Sequence, residues 1–213
     1  MKIEINKNDL FYQKIGVGKP IILLHGNEES SAIFSVAVES LRANHTIYLL
    51  DQRHHGNSTS NGNLTYEDMR DDLEYFILSL GIKKPIVFGF SDGGIVALML
   101  AIKNPALVDE LILAGINISP SGLKLRLRIF YWLKNCFKPS KYLNLMLSGP
   151  NLKKEDLKIL QLPVKLLYGK KDVIAKRHIR KIGKYLPNAK LSILKDHDHF
   201  SYVVDSVKFI QYL

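Results

Sequence analysis

The sequence predicts an α/β fold, a mostly parallel central sheet flanked by helices on both faces and interrupted by one short helical insertion. Three observations carry this. Short apolar runs alternate with longer segments of helical spacing along most of the chain. Those short runs are continuously apolar, as in strands buried on both faces. With 213 residues, 46% apolar and 23% charged, the chain is long enough for a full core, and its composition excludes disordered and collagen-like chains.

The elements follow in order. Lys2 to Gly16 reads as one or two edge strands, and Ile21 to Leu24 as a buried strand closed by His25-Gly26. Glu28 to Arg42 has helical spacing, with Ile33, Phe34, Val36, Val38 and Leu41 on its apolar face. A strand at Thr46–Leu50 and a polar loop to Asn63 precede an amphipathic helix, Thr65–Leu80, capped by Thr65 and stopped at Gly81. A strand at Pro85–Phe90, a helix at Asp92–Asn104 and a strand at Leu111–Ile116 follow. The pattern then breaks until Gln161. It resumes with a strand at Val164–Tyr168, a helix at Ala175–Leu186, a strand at Lys190–Leu194 and a closing helix at Tyr202–Leu213. The organisation is thus a core of residues 1–116 and 161–213 with an insertion at 117–160.

In such sheets ligands bind at the rim formed by the carboxyl ends of the strands. Four motifs stand there. Gly89-Phe90-Ser91-Asp92-Gly93 lies between a strand and a helix, as a G-x-S-x-G nucleophile elbow does. Raising a serine hydroxyl above the sheet needs a sharp turn with Ser91 at positive φ, and the glycines remove side chains that would collide across it. His25-Gly26-Asn27 ends an earlier strand. The backbone N–H groups of Asn27 and of Asp92, the residue after the serine, are the candidate donors for an oxyanion, while His25 braces the loop. Asp172 follows the strand at Val164 and can orient a histidine. Asp196-His197-Asp198-His199-Phe200 follows the last predicted strand and offers a base for the serine proton. His199 is preferred over His197, because His-Phe followed by a small residue and a final helix is the usual setting of such a base. The run lacks the ligand spacing of a metal site.

The chain order Ser91, Asp172, His199, together with Asp51-Gln52-Arg53-His54-His55-Gly56-Asn57-Ser58, resembles the α/β-hydrolase family, in the branch called the AB-hydrolase-1 group. The loop is similar to the family's D-x-R-G-x-G-x-S, with His54 where glycine is frequent. The resemblance implies a serine hydrolase acting through a covalent intermediate without a cofactor, and it makes 117–160 a short cap. Some branches of the family use an aspartate at the elbow for dehalogenation or epoxide opening, and Ser91 argues against both.

Charge is concentrated in that stretch. The chain carries +10, and residues 117–160 hold nine basic and two acidic residues, interleaved with Leu, Phe, Tyr and Trp. Three readings stand: a roof with solvated lysines, attraction of anionic or amphiphilic substrates with weak lipid-surface contact, and nucleic-acid binding. The last lacks any reading motif. The scarcity of acids in the stretch counts against an aminopeptidase. Cys136 stands alone, which excludes an internal disulfide and a cysteine zinc cage and suits a reducing cytoplasm. The longest apolar run, Ile95–Ile102, is 8 residues, and no secretory signal is read at Met1–Leu10. The expectation is therefore a cytoplasmic hydrolase of a small or medium carboxylic ester or thioester, with a small acyl substrate, no nucleic-acid partner and no metal. The alternatives are a lysophospholipase-like lipid-surface hydrolase and a non-catalytic binding protein on the same fold.

Overall fold

The computed structural model describes all 213 residues. Eight strands form one sheet: β1 (Lys2–Ile5), β2 (Asn8–Ile15), β3 (Lys19–Leu24), β4 (His45–Leu50), β5 (Ile86–Phe90), β6 (Glu110–Ala114), β7 (Val164–Gly169) and β8 (Ala189–Leu194). Their spatial order is β1-β2-β4-β3-β5-β6-β7-β8. Only β1 and β2 run antiparallel to their neighbours. The central strands are apolar throughout because both faces are covered. Ile21 to Leu24 and Ile86 to Phe90 are buried at every position.

Seven α-helices follow the strands: α1 (Ser35–Leu41), α2 (Tyr66–Ser79), α3 (Asp92–Lys103), α4 (Leu125–Phe137), α5 (Lys141–Ser148), α6 (Lys154–Lys158) and α7 (Lys176–Tyr185). The Thr65 hydroxyl accepts the Asp68 N–H and caps α2, and Gly81 ends that segment at φ 60°. Helix α3 is apolar on all sides, and every residue from Asp92 to Ala101 is buried. One core lies between the sheet and α2, α3 and α7. The other lies on the opposite face, where Phe34, Phe88, Tyr202, Val203 and Phe209 meet beneath α1.

Two expected helices differ. The predicted Glu28–Arg42 helix is shorter, a 3₁₀ turn at Ser31–Phe34 followed by α1. Its first residues stay irregular because Glu28 sits at φ 58° and Glu29 turns back to accept the Gly26 N–H at 2.8 Å. The predicted closing helix Tyr202–Leu213 does not form. Turns and a 3₁₀ segment at Ile210–Tyr212 replace it. Asp205 stands at φ 46° with its N–H on the Ile33 carbonyl, and the Ser206 hydroxyl accepts the Lys208 N–H. These contacts break the helical path while delivering Tyr202, Val203 and Phe209 to the core. Between β6 and β7 the chain leaves the sheet and forms α4, α5 and α6. No helix is long and apolar enough to cross a membrane.

Candidate active site

Sheet topology puts β5 beside β3 and β6, so loops from three adjacent strands meet around residue 91. The turn from β5 into α3 leaves Ser91 at φ 51°, ψ −117°, with its N–H bonded to the Ala114 carbonyl at 2.8 Å. That conformation is costly for a residue with a side chain and is held by the packing around it. Strand and helix approach so closely here that a Cβ at Gly89 would lie 2.4 Å from the Gly94 Cα.

Two further loops bring partners to the hydroxyl. His199 Nε2 lies 3.1 Å from Ser91 Oγ, and its Nδ1 lies 2.8 Å from Asp172 Oδ1. Asp172 is fully buried, and the same oxygen accepts the Ile174 N–H at 2.9 Å. A carboxylate only accepts, so Nδ1 carries the proton and the Nε2 lone pair faces the serine. Phe90 and Phe200 flank the imidazole, with ring centroids 4.9 and 5.0 Å away. Gly115, at φ 63°, leaves room for it, since a Cβ there would lie 2.7 Å from His199 Cε1. His197 does not join the group. Its Nδ1 pairs with the Ser201 hydroxyl at 3.1 Å. Asp198 shapes the turn by accepting the N–H groups of Phe200 and Ser201. Within the run, His197 and Asp198 serve the turn, and His199 is the member that faces Ser91.

The loop after β3 forms the facing wall. His25 is buried, with Nδ1 on the Gly26 carbonyl and Nε2 accepting the Gln52 N–H at 3.0 Å. Burial, with nearby His55 adding to it, lowers its pKa to about 4, so it stays neutral and braces two loops. Asn27 and Asp92 border the same cavity as Ser91 and His199. The Asn27 N–H has no acceptor within the chain, and the Asp92 N–H lies in the first turn of α3, where no preceding helical carbonyl exists. Both are free to meet an anion.

The cavity measures about 160 Å³. Leu123, Leu143, Met146, Val173 and Ile174 give it apolar surface, and Asn117, Tyr131 and Lys134 also border it. Two carboxylates absent from the expected site line it as well, Glu28 and Glu29. Burial raises Glu29 from 4.5 to about 7. The Asp92 carboxyl is pushed up to about 6 by burial, against a hydrogen bond from the Tyr66 hydroxyl at 2.8 Å. Glu29 had a legible signal, an acid three residues past the His25-Gly26 strand end. Tyr66 had none, because its partner lies on another helix. These acids also weaken the expectation drawn from the acid-poor insertion, since the cavity takes its carboxylates from the loop after β3 instead.

The 51–58 loop is a support. Asp51 is fully buried and accepts the N–H groups of Ser31 and Asn57 at 2.7 and 2.8 Å. Arg53 forms a bidentate pair with Asp72 at 2.6 and 2.7 Å, both side chains buried. His54 occupies φ 63°, in the left-handed region that glycine enters most easily. Its carbonyl accepts the Tyr142 hydroxyl, and its Nε2 meets the Gly62 carbonyl.

A family model for the alpha/beta hydrolase fold matches residues 19–135. The chain belongs to that family. Among curated relatives, the sn-1-specific diacylglycerol lipase ABHD11 of Danio rerio is 36% identical over 115 residues, which are 53% of this chain and 35% of that protein. A proline iminopeptidase of Xylella fastidiosa is 37% identical over 112 residues, 50% of this chain and 36% of that protein. The matched segments thus span about a third of the length of these relatives. Among solved structures, Est816, described as an N-acyl homoserine lactone degrading enzyme, superposes with a TM-score of 0.79 at 18% identity, covering 95% of each chain. At that identity the likeness is one of fold.

Proposed function

We propose that this chain is a serine hydrolase that cleaves small or medium carboxylic esters through an acyl-enzyme. The observation that carries the reading is the unbroken hydrogen-bonded line from Ser91 Oγ through His199 to Asp172. Ser91 Oγ attacks the carbonyl carbon while His199 Nε2 takes its proton. The N–H groups of Asn27 and Asp92 hold the oxyanion, the latter aided by the α3 dipole. His199 then gives its proton to the leaving alcohol. Water, deprotonated by the same nitrogen, releases the acid. Asp172 fixes the imidazole and stabilises its charged form. The chemistry asks for no cofactor. A cavity of about 160 Å³ lined largely by aliphatic side chains supports a short acyl group, and α4 and α5 act as its cap. The family membership and the hydrolytic names of the relatives support the same reaction class.

Ser91→Ala should abolish turnover of a short p-nitrophenyl ester with the circular dichroism spectrum unchanged, and full activity in that variant would refute the assignment. Asp172→Asn should cut kcat by about 10⁴-fold. A second reading, release of an N-terminal amino acid, is favoured by Glu28 and Glu29, which could hold an ammonium group. Faster cleavage of a prolyl or alanyl p-nitroanilide than of the ester would select it.

A further inference from the structure

Helix α4 turns its apolar side to the outside. Leu125, Ile129, Phe130, Trp132, Leu133 and Phe137 are between 44% and 88% exposed, and no residue of the helix is buried. Single exposed apolar residues are ordinary, but this many on one helix mark an interaction surface. At about 3.6 residues per turn they share one half of the circumference. The opposite half carries the half-buried Leu127, Tyr131 and Asn135.

Cations frame the apolar side. Lys124 and Lys138 stand at the two ends of the helix, Arg126 lies within the apolar half, and Arg128 and Lys134 lie at its margins. None of the five is paired with a carboxylate. No acidic residue lies between Glu110 and Glu155 to neutralise them. Apolar and aromatic residues on one side with unpaired cations around them match a lipid surface with anionic headgroups.

We propose that α4 is a docking helix for a bilayer surface bearing anionic headgroups, with its apolar residues entering the headgroup boundary and its cations meeting the phosphates. A second copy of the chain fits less well, because a twofold contact through α4 would oppose two clusters of unpaired cations. Nucleic acid would satisfy the cations but leave the apolar residues without a partner. Tyr131 and Lys134, on α4 itself, border the Ser91 cavity, so a docked α4 would lie between that cavity and the membrane surface. The docking does not depend on the chemistry at Ser91, and the Ser91→Ala chain should bind as the parent does.

Trp132 is the only tryptophan of the chain, so its emission reports on α4 directly. Titration with phosphatidylcholine vesicles containing phosphatidylglycerol should shift Trp132 emission to the blue and carry the protein up in flotation. Pure phosphatidylcholine should do so far less. Lys124→Gln with Arg126→Gln and Arg128→Gln should weaken binding about a hundredfold, at roughly fivefold per charge. Ile129→Ser with Phe137→Ser, both exposed, should weaken it at least about tenfold through lost apolar burial. Four results would overturn the proposal. They are no shift or flotation with the anionic vesicles, binding unchanged in both variants, a lipid-free dimer dispersed by Phe137→Ser, or a Trp132 response to a single-stranded oligonucleotide and not to vesicles.

Discussion

Glu29 places a carboxyl beside the nucleophile and ties it to the loop that carries Asn27. Burial raises it from 4.5 to about 7, with Asp92 adding to the shift and His199 and the Gly26 N–H opposing it. The folded chain therefore binds more protons than the unfolded chain between those values, and stability falls as pH rises through that window. Glutamine mimics the protonated acid and can still accept the Gly26 N–H. Glu29→Gln should raise Tm relative to the parent at about pH 8 and leave it nearly unchanged at about pH 5. An equal shift at both pH values would show that the carboxyl does not titrate in this range. The meeting of Ser91, Asp172 and His199 was legible because each follows an apolar strand, and strand ends share one rim. The choice of His199 over His197 rested on His-Phe, a small residue and a final helix; the helix does not form, and the structure sets the Phe200 ring against the imidazole. The position of Glu29 past a strand end was legible, but its raised pKa was not, because that comes from its partial burial in the folded site.

At the scale of elements, strands and helices with a strong apolar period were readable, and segments governed by single backbone residues were not. Tyr202 to Leu213 has enough apolar residues for a helix. Asp205 in the left-handed region, with its N–H on the Ile33 carbonyl, and the Ser206 turn override that pattern, and the segment packs Tyr202 and Phe209 against Phe34 and Phe88 instead. The Phe209 ring centroid lies 4.2 Å from that of Phe88 and 6.0 Å from that of Phe34. Phe209→Ala should cost about 3–5 kcal/mol in urea denaturation, as fully buried aromatics do. A cost below about 1 kcal/mol would mean that this tail is not part of the core. The shortening of the Glu28–Arg42 helix has the same kind of cause, since the turn at Glu28 serves the site rather than the helix.

The whole molecule separates structure from chemistry. Two cores on opposite faces of the sheet fix the strands, and the loops at one rim hold Ser91, Asp172, His199, Asn27 and the α4–α5 insertion. Most of the net positive charge sits in that insertion, nine basic against two acidic residues, whereas Glu28, Glu29 and Asp92 line the cavity beneath it. The rim could be read from the order of motifs, whereas the outward apolar side of α4 could not, because periodicity does not say which side of a helix meets the sheet. The central claim, an activated serine at position 91, is tested by treating the folded chain with a fluorophosphonate, which Ser91 Oγ would attack with loss of fluoride. Peptide mass spectrometry should find a single equivalent of phosphonate on Ser91, with labelling much slower in His199→Ala. No label under excess reagent, or label on a different serine, would contradict the account.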